Sequence, residues 1–502
     1  MHPYFSFPSF SIPTISLTYL LLLLFTLAHL PFIKADADQE LSWSRGPWTD
    51  EGLHTCQVRN YLQHGDHSLN KTDNLIKTPL FGALLYGSYT VFGISLTVSR
   101  LTVVALSMIL LCLTARVNSY TTGWIMLSLP ITFLQFYIFH YSHLALTEVL
   151  SSLCILVGVV FFYQALLEKS HRLRYNLLSA FCLAMSYYLK IQYAYIVVLS
   201  PIYLFIALLY YYLKEKEWNR STLQLLSVQM GAQAVCGLLY AVAWYLPNKV
   251  IYDYIMADQT SDRYVPWNEL MPLLDAYYHG IFLHADLKPF TYLFFLSIGI
   301  GSILLFFKGT SKHFRILFAL LLIWILLELH KLPMRYLPSR YLVSTYIAMG
   351  AVSTLVLREC IYLVAEKNKW IKLLLLVSIA ASLGVLFINV AQYKKAFHRR
   401  TFSITAINES LKNITLDNRP IAGPWAPTLS WGLNGYSFPV WYNYFNDKDL
   451  IKKYNPKVII SELGEDDSAS AFRNNGIHLE SIAQEIRYYK VAKWEIKVVI
   501  LK

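Results

Sequence analysis

Apolar runs of roughly the length that carries a helix across a bilayer recur along this chain as far as Val390 and then stop. Bounded by charges, they give roughly eleven candidate spans, with a margin of about one or two. The candidates are Ile12–Phe32, Ile94–Leu113, Thr122–Phe139, Leu144–Leu167, Leu177–Leu189, Ala194–Leu213, Leu226–Leu246, Phe290–Phe307, Phe314–Leu329, Tyr341–Leu363 and Ile371–Val390. The fifth is short, and Lys190-Ile191-Gln192 interrupts a longer apolar stretch there. Almost every position inside the runs is apolar, so periodicity does not separate packed from lipid-facing sides.

Past Val390 the pattern changes to that of a soluble piece of about 110 residues, near the lower end of domain size. Pro456–Glu462 reads as a buried strand, Trp494–Lys502 as a second, partly alternating one, and Asn446–Tyr454 as a helix before them. The expected architecture is an all-α polytopic membrane domain over residues 1–391 and a small α/β domain over 392–502. The C-terminal piece holds no nucleotide-binding loop, GxSxG or HExxH pattern.

A polar segment, residues 35–93, separates the first two spans. Two short amphipathic juxtamembrane helices fit it: Gly52–Gln63, stopped by His64-Gly65-Asp66, and one beginning at Pro79, because proline is well tolerated in a first turn. Such helices lie at the membrane surface and hold Asp50, Glu51 and Lys77 near the lipid headgroups.

Composition agrees: 56% of the 502 residues are hydrophobic and only 15% are charged, outside the balance of a soluble globular chain. The net charge of +12 has a topological explanation rather than a nucleic-acid one, since the cations are spread over alternate connections without a basic face. Arg116, Lys169 to Arg174, Lys214 to Arg220, Lys308 to Arg315, and Arg358 to Lys369 mark cytoplasmic loops. The N-terminus is then inside, and residues 35–93, Pro247–Pro289 and everything past Val390 are external. Lys34–Asp38 resembles a small-residue signal-peptidase site, but no basic region precedes the first apolar run, so the segment is expected to stay uncleaved. Five of the six cysteines lie in or beside spans, which leaves no disulfide framework or zinc pattern. Sequons at Asn70, Asn408 and Asn413 fall outside and Asn219 inside; so short a pattern arises by chance.

Trp48-Thr49-Asp50-Glu51 after the first span, Lys77-Thr78-Pro79-Leu80 further on, Phe92-Gly93-Ile94-Ser95 with Arg100 opening the second span, Lys190 ending a mid-chain span, and Arg340-Tyr341-Leu342-Val343 near the tenth form an ordered set. The set resembles the polyprenyl-phosphate-sugar-dependent glycosyltransferases of the GT-C fold, the branch of bacterial aminoarabinose transferases, protein O-mannosyltransferases and RgtA/B/C/D-like enzymes. The resemblance covers Trp43 to Gly350. It departs from the family where prolines are replaced in the lysine and arginine motifs, and where Ile76 stands in place of the carboxylate that metal-binding members carry before their lysine.

The resemblance implies a GT-C membrane fold and transfer of a sugar from a polyprenyl-phosphate donor to a glycan, lipid or protein acceptor. It places the chain in a bacterial plasma membrane with its site on the external face. Asp50 is expected to be the base that takes the acceptor's proton, Glu51 its orienting or acceptor-binding neighbour, and Lys77, Lys190, Arg340 and Tyr341 the groups that stabilise the leaving phosphate. Since the lipid carries the activated sugar, no cofactor is required; a divalent metal is left open, though no ligand set for one is evident. His140 and His143, three residues apart, lack further ligands, and Glu148 reads as a buried, hydrogen-bonded group. Each motif residue also has an ordinary reading, as a helix-start acid, a snorkelling lysine or an interfacial anchor. A lipid-linked glycan transporter would share the hydropathy but calls for repeats that are not seen, and a non-catalytic assembly subunit predicts that Asp50 is dispensable.

Overall fold

The computed structural model describes residues 12–65, 74–260, 263–364, 369–442, 450–464 and 467–502. Near the N-terminus run α1 (Ile12–His29), α2 (Gly46–His64), α3 (Asn74–Lys77) and α4 (Pro79–Phe92). They are followed by α5 (Leu96–Arg116), α6 (Ser119–Ser128), α7 (Phe136–Tyr141), α8 (Glu148–Leu167) and α9 (Arg172–Leu189). Next come α10 (Leu199–Glu215), α11 (Arg220–Tyr240), α12 (Lys249–Thr260), α13 (Trp267–Tyr277), α14 (Lys288–Leu305), α15 (Lys312–Glu328), α16 (Val343–Leu363), α17 (Lys369–His398) and α18 (Ser403–Leu411).

Local chemistry sets the helix ends. Pro47, Pro79 and Pro289 sit in first turns, where the missing N–H costs nothing. Ser95, Asn118, Asn219 and Ser311 cap α5, α6, α11 and α15 through their side-chain oxygens. Gly65, at φ 68°, closes α2 in the left-handed conformation glycine adopts cheaply. The helix expected from Gly52 thus begins six residues earlier, at Gly46, and ends where the His64-Gly65 signal put it.

Among the described residues, eight helices are long and apolar enough to cross a membrane, and Leu17–Phe32 is a shorter apolar one. The expected third span, Thr122–Phe139, is not one helix. It turns through a π-helical segment at Leu129–Phe133 and restarts at α7, because Pro130 lacks the N–H an α-helix needs and the Gln135 side chain caps α7 by accepting from Tyr137 N and Ile138 N. The interruption at Lys190 is likewise present: its backbone is extended (φ −158°, ψ 111°), and a 3₁₀ segment, Ile191–Val198, leads into α10.

The bundle is centred on α8 and α16, whose spans are 83% and 89% buried, against 17% for the span containing α11 and 22% for the one containing α17. The five basic connections gather at one end. There Asn118 donates to Gln164 Oε1 (2.7 Å), Arg172 to Ser221, and Ser311 N and Oγ to Glu359 (2.6 and 2.8 Å). α2 and the residues after α17 lie at the other end.

Beyond α18 five strands form a mixed sheet in the order β2-β1-β3-β5-β4: β1 (Ile421–Ala422), β2 (Ser437–Phe438), β3 (Val458–Glu462), β4 (Ala483–Val491) and β5 (Trp494–Leu501). β1 is parallel to β2 and β3, while β5 is antiparallel to β3 and β4. Both expected strands are present, and the near-continuous apolar run of β3 has a cause. Ile459 and Val499 face one core with Phe438 and Leu450, and Val458, Ile460 and Val498 face the core that also holds Trp48 and Trp425. The expected Asn446–Tyr454 helix falls partly outside the described residues, and Leu450–Tyr454 forms a single π-helical turn. The sheet region is seated directly on α2: Asn60 and Ser437 exchange two hydrogen bonds (2.8 and 3.1 Å), and Thr428 Oγ1 donates toward Trp48 O and Thr49 O (3.2 Å each).

Candidate functional site

The second turn of α2 presents Asp50 and Glu51 in different directions, since successive helical residues point about 100° apart. Asp50, partly buried, places Oδ2 2.6 Å from Arg340 Nη1. Glu51, fully buried, faces into the protein and holds Arg100 bidentately, with Nε at 2.8 Å and Nη2 at 2.6 Å, while accepting from Ala145 N at 2.6 Å. Arg100 in turn donates to the carbonyls of Ile33 (3.0 Å) and Ala35 (2.5 Å). Glu51 therefore ties α2 to α5 and to the segment before it, and does not face the space beside Asp50; the orienting or acceptor-binding role expected of it has no geometric support.

The other expected residues converge on Asp50. Arg340 and Tyr341 arrive on a 3₁₀ turn, Ser339–Leu342, at the head of α16. The Tyr341 ring lies 5.2 Å from Arg340 Cζ and 5.3 Å from Lys190 Nζ. Lys190, buried where the helix breaks after α9, sets Nζ 2.6 Å from Glu148 Oε1, so Glu148 is a buried, hydrogen-bonded group as its sequence reading had it. Lys77 is buried at the end of α3, just ahead of Pro79. Burial raises the Asp50 carboxyl above its ordinary value; Arg340 opposes the rise, Glu148 adds to it, and Lys190 and Lys77 also oppose it. Arg340 has room only because residue 46 is glycine: a Cβ there would stand 1.6 Å from Arg340 Nη1.

Next to Tyr341 is a small polar cavity of about 90 Å³ lined by Glu148, Lys190, Arg263, His330, Lys331 and Tyr341. Lys331 donates to Glu328 Oε2 (2.6 Å) and Tyr341 O (2.9 Å). Glu328 also accepts from Tyr195, Trp324 (3.1 Å), Ser344 (2.7 Å) and Thr345 (2.8 Å), so its position is overdetermined. Arg263 reaches the cavity because its strand-like neighbours pair with residues 333–335, Val265 N to Pro333 O at 3.0 Å and Arg335 N to Arg263 O at 2.9 Å. A larger apolar cavity, about 410 Å³, lies across the Glu328–Leu332 and Tyr341–Leu342 segments and is walled by Tyr277, Phe282, Phe294, Phe295 and Met349. The two cavities are lined by neighbouring residues of the same two segments: Lys331 and Tyr341 line the cationic one, Glu328 and Leu342 the apolar one.

The sequence reading did not single out Arg263, Glu328 or Lys331. The available signal was an acid and two basic residues at the very end of an apolar run, Glu328 to Lys331, because ionisable groups at a span edge seldom persist without a role. His140 and His143 are buried among Phe32, Phe139 and His29, and burial together with Arg399 holds His140 neutral, with its pKa lowered to about 3. Among the described residues no three metal-ligating groups gather.

No protein-family model and no curated protein sequence matches the chain. Solved structures do. ArnT from Cupriavidus metallidurans bound to undecaprenyl phosphate aligns over 97% of this chain and 98% of its own, with a TM-score of 0.61 at 12% identity. The archaeal oligosaccharyltransferase AglB from Archaeoglobus fulgidus, in complex with an inhibitory peptide and a dolichol-phosphate, aligns over 89% of this chain and 69% of its own, with a TM-score of 0.53 at 11% identity. The chain is thus a multi-pass membrane protein with the GT-C fold, which extends over nearly its whole length.

Proposed function

We propose that this protein is an integral-membrane glycosyltransferase that moves a sugar from a polyprenyl-phosphate donor to an acceptor, a cell-envelope glycan, lipid or protein, on the external face of a bacterial plasma membrane. The observation that carries the reading is the pairing of chambers beside Asp50. One is small and lined by cations, the other large and apolar, and adjacent residues of the same segments line them, Lys331 and Leu332, Tyr341 and Leu342, which suits a phosphate on a long hydrocarbon. Two structures of the same fold hold undecaprenyl phosphate and dolichol-phosphate, which supports the same donor class.

In the proposed reaction the acceptor oxygen attacks the anomeric carbon as the bond to the phosphate oxygen breaks, and Asp50 takes the acceptor's proton. One displacement inverts the anomeric centre. Charge growing on the leaving phosphate is met by Lys77, Lys190, Arg263 and Lys331, fixed in place before the reaction begins. Arg340 takes a different part from the one expected: the carboxylate it holds at 2.6 Å is that of the proposed base itself, so it orients Asp50 and tempers the pKa rise that burial causes. Tyr341 forms the partition between base and cations.

The test is transfer of radiolabel from a panel of polyprenyl-phosphate sugars in membranes carrying the wild type or Asp50→Asn, matched for expression and folding. Transfer present in the wild type and lost in the variant is expected. Equal labelling in both removes Asp50 from the chemistry, and none from any donor removes the function.

A further inference from the structure

Asp50 stands at one end of α2, and a second, separate cavity opens at the other. It measures about 420 Å³, and its walls include His64, Asp417, Asn418, Asn434 and Tyr436. Asp417 and Asn418 occupy the centre of a turn closed by Arg419 N donating to Leu416 O (2.8 Å), with φ of 50° and 59°, a left-handed pair that short polar side chains tolerate best. The turn leaves both side chains exposed at the rim. The His64 and Tyr436 rings form an aromatic corner, 6.1 Å between centroids and tilted by 48°.

The charges at this cavity are already spent. Arg419, which lines it, is anchored to the carbonyls of Asn455 (3.0 Å), Pro456 (2.9 Å) and Lys502 (2.9 Å); Lys412 is paired with Glu409 (2.7 Å), and Lys457 stands 3.7 Å from Asp417. What remains to meet a ligand are amide, carboxylate and imidazole groups that exchange hydrogen bonds with hydroxyls, next to ring faces that cover C–H surfaces. That chemistry fits an uncharged polyhydroxylated ligand better than a phosphate or a hydrocarbon.

From these features we infer that the cavity is a subsite for neutral sugar residues of the acceptor, an inference that rests on the glycosyltransferase reading. Along α2 from Asp50 to His64 the rise is about 21 Å at roughly 1.5 Å per residue. The subsite is therefore too distant for the reacting sugar and takes a part of the acceptor remote from the attacked hydroxyl, binding that positions the near end. The acceptor is thereby narrowed to one that carries an oligosaccharide.

The experiment uses the full chain in nanodiscs, with maltotetraose, chitotetraose and a tetrameric uronate as probes in saturation-transfer NMR. A neutral tetrasaccharide is expected to bind the wild type and Asp50→Asn alike, and Asn434→Ala and His64→Ala are each expected to weaken it about tenfold, the scale of one hydrogen bond or ring contact. Both substituted residues are exposed, so the variants are expected to melt like the wild type. In the transfer assay the same variants raise KM for the acceptor and leave kcat and the donor KM unchanged. No binding of either neutral probe, preference for the uronate, or binding that both variants retain overturns the inference. Oligosaccharide binding that persists where no donor supports transfer overturns the glycosyltransferase reading instead.

Discussion

Gly46→Ala is the perturbation for which the site geometry makes the sharpest demand. A methyl group at residue 46 would stand 1.6 Å from Arg340 Nη1 and 2.8 Å from Cζ, where atoms in contact need about 3.5 Å. The guanidinium must retreat by roughly 2 Å, which takes its 2.6 Å contact with Asp50 outside ion-pair range. The obstacle is the tip of a side chain rather than backbone, so α2 persists, and alanine in place of helical glycine returns about 0.5–1 kcal/mol. Loss of one charge-assisted contact to Asp50, the proposed base, about 1.5–3 kcal/mol, corresponds to roughly a 10- to 150-fold fall in transfer. Steady-state transfer in nanodiscs measures the fall, and a thermal melt reports the fold. The double variant Gly46→Ala/Arg340→Ala is expected to be no worse than Arg340→Ala alone, because both changes remove the same contact. Wild-type transfer by Gly46→Ala, or additive losses in the double variant, would refute the reasoning.

Two further outcomes follow from the same geometry. A base works only when deprotonated, and Asp50 is raised by burial, so transfer falls on acidification through a midpoint above the ordinary aspartate value of about 3.9. Arg340→Ala removes the largest opposing influence and moves that acidic limb to higher pH; a limb that stays in place in the pH–rate profile would deny Asp50 the base role. Glu51→Gln leaves Arg100 buried beside a neutral partner, so the melting temperature drops by an amount equivalent to about 3–5 kcal/mol, the cost of breaking a buried pair. An unchanged melt with a raised acceptor KM would instead return Glu51 to the acceptor.

Residue type and spacing alone determined that the chain would lie in a membrane, where most of its spans fall, and that strands would appear at Val458 and Trp494. Those properties depend on runs of neighbouring residues, and hydrophobic burial acts on such runs wherever the rest of the chain goes. Asp50, Lys77, Lys190, Arg340 and Tyr341, the residues proposed for the site, also stood out in the sequence, since charges are costly beside a bilayer and contrast with apolar surroundings. What each of them touches did not. Asp50 and Glu51 are adjacent in sequence with the same chemistry, and only the packing of α2 against α5 decides that one meets Arg340 and the other Arg100. Arg340 reads from sequence as a phosphate ligand and is paired with Asp50; Arg263 and Lys331 are joined into one chamber by a pairing between residues 263–265 and 333–335. The bend at Pro130 and the seat of the C-terminal sheet on α2 are of the same kind. A helix sends successive side chains about 100° apart, so which neighbour faces the site is settled by contacts between segments tens to hundreds of residues apart, and no local pattern records them.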